Sequence, residues 1–453
     1  MNLLASLATA LLVNVLTYQY DNTRAGVNAQ EVILTPANVN ALQFGKLFSQ
    51  PVDGVLYGQP LYLAGIAIPG KGTHNVIYGA TEHDSVYAFD ADTNQAPLWQ
   101  TSFLSAGVTT VPANDTGCNQ IAPEIGITST PVIDAQSGTI YVVAMTKESG
   151  NYVQRLHALD VTTGAEKPGS PVVIQASVPG TGEGGTTVIF QPRAYKQRPG
   201  LLSLNGVVYT LWSSHCDIGT YHGWIIGYDA HSLQQVTVYN DTPNGNEASF
   251  WNGGAAPAVD AAGNMYVVAA NGSTDFSSPT NPDLGESYIR LTTNGGLAVA
   301  DYFTPFNFAQ LNSADADTGS AGVALLGDEA GSAAHPHLMA GAGKEGRIYL
   351  LDRDDLGKFN SAGDTQIIQS IPNALGGLFG NPAYFNLRLY FCGAGDPLEA
   401  FPVSNARMAT TPQSQSPTAF QFPGCVPTIS ANGTSNGIVW AIDQQGLLRA
   451  YDA

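Results

Sequence analysis

The sequence predicts an all-β protein, specifically a β-propeller of four-stranded antiparallel blades. Three observations carry this expectation. A unit made of an apolar strand, a Gly or Asn turn, an "xIYxxx" strand, a polar loop and a strand ending near Asp recurs seven times in 453 residues. Charged residues make up only 12% of the chain, while Gly (50) and Pro (27) are plentiful, which favours short strands and turns over long solvated helices. The apolar residues alternate or run in short blocks rich in Val, Ile and Tyr, the period of strands. One such meander cannot bury both of its faces, and radial stacking of the sheets around an axis solves that problem. A β-sandwich has the same strand content but not this repeated order of elements.

Taken in chain order, "MNLLASLATALLVNVLTY" opens with an apolar run of small residues, like the core of a secretion signal, though without its usual Lys or Arg. Residues 1–12 therefore read as a signal-peptide remnant and 13–453 as a single propeller domain; alternatively, Val13 to Tyr18 is a first strand. "LQFGKLFSQ", Leu42 to Gln50, has the pattern of a lone outer strand that adds to the last sheet and closes the ring, removing an exposed edge. The repeats begin near Gly58, Glu124, Arg193, Ser249, Asp317, Gly376 and Cys425. Their second strands include "NVIYGAT", "GTIYVVAMT", "GVVYTLWSS" and "LRLYFCGAG"; their third strands include "VYAFDADTN", "LHALDVTTG", "IYLLDRDDLG" and "LRAYDA". Because "LRAYDA" is not followed by a fourth strand, closure by residues 42–50 gives seven blades, and a truncated chain gives eight. Short pieces such as "DVTTG" and "DAAGN" are turns in which Asp caps its own turn and Gly takes the positive φ.

The net charge of −19, with only 17 Lys plus Arg, excludes nucleic acid as a partner, since phosphate binding needs a basic face. Beyond the N-terminus no run of about 20 apolar residues occurs, so no membrane-spanning helix is expected. The four cysteines, Cys118, Cys216, Cys392 and Cys425, show no metal spacing, and their even number suggests two disulfides. Of the three pairings, the repeat register favours Cys118 with Cys216 and Cys392 with Cys425, because each pair falls in neighbouring repeats.

"LTYQYDNTRAGVN" and "ILTPANVNALQFGKLF", together with "THNVIYGATEHDSVYAFDAD", "PEIGITSTPVID", "RPGLLSLNGVVYTLW" and "GAGKEGRIYLLDRD", resemble the PQQ-like repeat propellers of the quinoprotein alcohol dehydrogenase type, and in particular a bacterial, exported group of them. The stretch "VYAFDADTNQAPLWQTSF", Val86 to Phe103, resembles their tryptophan-docking repeat. The resemblance spans nearly the whole chain and implies the propeller fold. In the dehydrogenases of that family PQQ lies between a Trp and a disulfide of adjacent cysteines, with an Asp base and a calcium ion held by Glu, Asn and Asp. This chain has no Cys-Cys pair, and the docking Trp survives clearly only at Trp99.

In a propeller the first strand of each blade lines the channel, so residues at the starts of first strands are candidates: Gln59, Glu124, Arg198, Trp251, Asp317 and Asn381. Loops after second strands add His83, Asp84, His215, Asp217 and Lys344. Glu124, Asp317, His83 and His215 are the candidate catalytic groups: Glu124 as a general base or as a structural partner of Arg198, and the histidines, each near an Asp, as oriented bases or hydrogen-bonded loop residues. Arg198, Trp251, Lys344 and Asn381 are the candidate cofactor-binding residues. Arg198 could grip a carboxylate in a bidentate fashion, Trp251 could stack on a sugar or quinone ring, and Lys344, by analogy with the family, could meet a quinone carbonyl or else pair with Glu345. No metal site is expected. The reading is a secreted, periplasmic or cell-surface propeller that binds or scaffolds without catalysis, its partner a small molecule, glycan or protein; the alternative is a PQQ-dependent alcohol or sugar dehydrogenase using PQQ and calcium.

Overall fold

Seven small sheets follow one another along the chain and form a seven-bladed β-propeller, described by a computed structural model for residues 13–278 and 282–453. The signal-like stretch 1–12 lies outside the described residues. Blade one is the simplest: Leu61–Ile68, Gly72–Ala80, Ser85–Asp90 and Trp99–Ser102 pair in sequence order, all antiparallel. The first strands of the remaining blades lie at Val132–Asp134, Leu202–Leu204, Ala258–Val259, Val323–Leu325, Ala383–Phe385 and Thr428–Asn432. Blade two gains an extra inner strand, because Thr139–Glu148 is ten residues long and pairs with both Val132–Asp134 and Val108–Pro112.

Alternation along each strand sends one set of side chains to each neighbouring blade. Leu61, Leu63, Val76, Tyr78 and Trp99 of blade one meet Ile127, Ile133, Ile140 and Val142 of blade two. Similar buried clusters join blades two and three, three and four, four and five, five and six, and six and seven. Among the described residues no such cluster joins blade seven to blade one. There Ile442, Leu447 and Leu448 stay 51–61% exposed, and a cavity of about 470 Å³ separates Trp440, Ile442 and Leu448 from Tyr57, Gln59 and Pro60. The ring therefore has six dry joints and one seam.

The Asp turns form as the sequence implies. Asp160 Oδ1 accepts the N–H groups of Thr162 and Thr163, and Asp260 Oδ1 accepts those of Ala262 and Asn264. These turns also dock. Trp99 Nε1 and Tyr78 Oη both donate to the carbonyl of Val161, and one blade further on Tyr141 Oη donates to that of Ala230. Gly164 must be glycine here: its φ is +70°, and a Cβ would lie 2.4 Å from the Trp99 ring.

Closure differs from the sequence expectation. Leu42 to Gln50 forms no strand and is almost wholly exposed; its anchor is Phe44, whose ring lies 5.3 Å from that of Trp440. Val27–Asn28 joins the last sheet instead, parallel to Thr428–Asn432 and on its inner side. The residues before it run inside the ring from blade to blade. Val15 bridges Tyr62, Leu16 accepts from Ile133, Asn22 from Val259, Thr23 from Leu325, Ala25 from Tyr384 and Gly26 from Ile429. First strands in a propeller have an unpaired inner edge, and this thread satisfies it in six blades. Leu42 to Gln50 spaces its apolar residues as an outer strand does, whereas the thread, rich in polar residues from Thr17 to Arg24, carries no strand pattern in its sequence.

Both expected disulfides form, Cys118–Cys216 and Cys392–Cys425, and each joins adjacent blades. Among the described residues no helix is long and apolar enough to cross a membrane.

Candidate functional site

The segments that lead into the first strands of blades three to seven converge on one end of the channel. They bring Arg198, Trp251, Gly253, Asp315, Asp317, Phe379 and Phe422 around a cavity of about 330 Å³, and Lys344 joins them from the loop after the second strand of blade five. Four of the eight candidates thus share one cavity: Arg198, Trp251, Asp317 and Lys344.

Arg198 is the central member. Its guanidinium donates to the carbonyl of Gly253, and it lines both this cavity and the one at the seam. Glycine is needed opposite it, because a Cβ on Gly254 would fall 2.0 Å from Arg198 Nη1. No carboxylate lies within ion-pair distance of Arg198 among the described residues. Burial lowers its pKa, partly offset by Tyr18, Glu82 and Tyr57, but a guanidinium this far from neutrality stays charged.

Lys196, two residues before Arg198, is buried and likewise has no carboxylate partner among the described residues. Its Nζ donates to Gln120 at 2.5 Å and sits 4.3 Å from the centre of the Trp251 ring, a cation–π contact. Burial, and then the neighbouring Arg198, pull its pKa down to about 7. Lys344 is different. It bonds Asp317 at 2.7 Å and Asp315 at 3.1 Å. Burial acts to lower its pKa, and those two contacts outweigh burial and raise it. Glu345 pairs with Arg347, not with Lys344. Trp251 Nε1 and Asp317 Oδ1 are buried and find no partner within the protein.

The other four candidates go elsewhere. Glu124 does not meet Arg198: its carboxylate accepts from His83 Nδ1 at 3.0 Å and from Thr110 at 2.8 Å. His83 is therefore oriented by Glu124 and not by Asp84, whose two oxygens are buried and unpaired. His215 is 3% exposed, and burial followed by the charge of Lys196 pushes its pKa down to about 3, so it stays neutral. Its neighbour Asp217 is held by Ser214 and Tyr221. Asn381 is fully buried and donates to Gln19 Oε1 and the Arg24 carbonyl, so it holds the inner thread.

Sequence reasoning missed Lys196, Gln120, Phe379 and Phe422. A signal existed for the first: "KQRPG" places two of only 17 Lys and Arg residues two apart, hence on one strand face. Phe379 and Phe422 carry no signal of their own, since each sits in a Gly- or Pro-rich loop whose path is set by the fold.

A quinone site of the family type does not fit these residues. Both disulfides join cysteines far apart in sequence, 98 and 33 positions, so there is no platform of adjacent cysteines. No group of three metal-ligating acids, histidines or cysteines converges among the described residues. No family model matches the sequence, and no curated protein does. Solved structures to which the chain is similar include BamB from Moraxella catarrhalis (12% identity, 87% of this chain and 86% of that chain, TM-score 0.45) and Sqt1 from Saccharomyces cerevisiae (11% identity, 83% and 81%, TM-score 0.45). The Dos1 propeller is a third, at 11% identity over 83% of this chain and 75% of that one, TM-score 0.43.

Proposed function

We propose that this protein is an exported, noncatalytic propeller that binds a partner at the Arg198 mouth of its channel. One observation carries the reading: a half-buried guanidinium, without a carboxylate in ion-pair reach, opens onto a cavity walled by Trp251, Phe379 and Phe422. A partly desolvated charge with no carboxylate in direct contact is costly, and it is kept where a ligand supplies the counter-charge. The candidate acid–base pair, His83 with Glu124, is not among the residues lining that cavity, and Lys344 is already held by two carboxylates. The two disulfides support an oxidising compartment.

The test against a quinone-dependent oxidoreductase is direct. The protein is incubated with PQQ and calcium, desalted, and examined by absorption spectroscopy and by dye reduction with alcohols and sugars. No retained chromophore and no dye reduction are expected. Substrate-dependent dye reduction that is lost in Asp317→Asn would overturn the proposal.

A further inference from the structure

We infer that the Arg198 mouth recognises the free C-terminal carboxylate of a peptide. The inference rests on the binding reading above and names what is bound.

Residues of the cavity lining carry unused hydrogen-bonding groups of both kinds, two of them buried just behind its surface. Arg198 offers a guanidinium fork with a single protein acceptor, and Trp251 Nε1 is a buried donor with none. Asp317 Oδ1 is a buried acceptor with no donor. A ligand that satisfies all three must carry a carboxylate-like acceptor and, close to it, a hydrogen-bond donor. A peptide terminus has this pairing by construction: the carboxylate lies next to a backbone N–H.

The walls fit the rest of a terminal residue. Phe379 and Phe422 meet edge-on, their centroids 4.9 Å apart, and Phe422 is 69% exposed at the rim. Such a half-covered aromatic pair, with Trp251 beside it, offers an apolar surface for one side chain. At about 330 Å³ the cavity is at the small end of ligand sites, enough for a terminal residue and part of the next.

Charge decides between this ligand and a small multivalent acid. The lining has two cations, Arg198 and Lys344, against three carboxylates, Asp217, Asp315 and Asp317, and the chain as a whole carries −19. A compact polyacid would be repelled by that field. A peptide terminus brings a single negative charge, which only Arg198 has to meet, and upstream residues can bring positive charge to the rim. Asp315, whose side chain is 66% exposed, is placed to receive it.

The probe is fluorescein-Gly-Lys-Gly-Phe with a free terminal carboxylate, compared by anisotropy with the same peptide as its C-terminal amide. The acid is expected to bind about 30-fold or more tightly than the amide, the scale for truncating a desolvated charge pair. Arg198→Met should erase that difference. Phe422→Ser, a change at an exposed position, should weaken both peptides while keeping the ratio between them. Equal binding of acid and amide, a ratio that survives Arg198→Met, or displacement of the acid by PQQ but not by excess unlabelled peptide would each overturn the assignment. Equal binding of the two peptides that is still lost in Phe422→Ser would sink the carboxylate assignment alone and leave the mouth a binding surface. No binding of either peptide also overturns the inference, while the quinone test above judges the wider reading independently.

Discussion

Trp99 of blade one donates its indole N–H to the carbonyl of Val161 in blade two at 2.9 Å, and Tyr78 donates its hydroxyl to that same oxygen at 3.0 Å. One acceptor thus holds two donors across a blade joint. Trp99→Phe leaves Tyr78 in place and should destabilise by about 1 kcal/mol, as should Tyr78→Phe. The double substitution orphans a buried carbonyl and should cost about 1 kcal/mol more than the two singles together. Urea unfolding of the four proteins completes the cycle; strict additivity would show that packing, not the shared oxygen, holds the joint.

Arg24 anchors the inner thread. Its guanidinium is fully buried and donates to the carbonyls of Pro257, Tyr18 and Asp21 and to Thr17 Oγ1. Arg24→Met fills the space but leaves the carbonyls of Pro257 and Tyr18 unpaired, while that of Asp21 keeps the backbone N–H of residue 24, so a loss of about 3 kcal/mol is expected. The fall in unfolding midpoint should come with faster amide exchange in Val27–Asn28 and Thr428–Asn432. A variant as stable as the parent would mean that the thread is held by its backbone bonds alone.

The two disulfides should differ in worth. Cys118–Cys216 closes a loop of 98 residues and Cys392–Cys425 one of 33. On chain entropy these contribute about 4.7 and about 3.7 kcal/mol. Paired Cys→Ser variants, unfolded in denaturant, should rank in that order; the reverse ranking would show that the smaller loop lies in the less stable part of the ring.

Glu82 makes stability fall with rising pH. It is 1% exposed, and burial lifts its pKa to about 7 against the bonds from Gly126 and Thr128 and the pull of Arg198 and Lys196. The folded state therefore holds this proton more tightly than the unfolded chain, so its contribution is fully present below the unfolded value of 4.5 and is lost as pH rises through about 7. The shift corresponds to about 3 kcal/mol. Glu82→Gln should match the parent at pH 4 and exceed it at pH 8 by about that amount; equal stability at both pH values would refute the assignment.

Much of the fold was legible because propellers repeat. Tyr78 and Tyr141 occupy the same place in successive units and make the same bond to the next turn, so pattern and contact coincide. The thread was not legible, because Val15 to Asn28 has no repeat to be compared with, and its partners are supplied by six different blades. Rules about position singled out Arg198, Trp251, Asp317 and Lys344, which lie where first strands begin or second strands end and which line one cavity. Glu124 and Asn381 occupy equivalent positions but turn to nearer partners, His83 and the thread. Position in a repeat says which side chains can face the channel; local hydrogen bonding decides which of them do.

The thread also sets an order of events during synthesis. Val27 pairs beside Ile429, some 400 residues later in the chain. At ribosomal speeds of about 5 to 20 residues per second, that is a wait of about 20 to 80 s between the emergence of the first partner and the last. Throughout it the thread segments whose blades have not yet been made are open to wrong pairings. The same residues that make the ring a ring are thus the ones a nascent chain must keep from pairing early, the last of them until blade seven emerges.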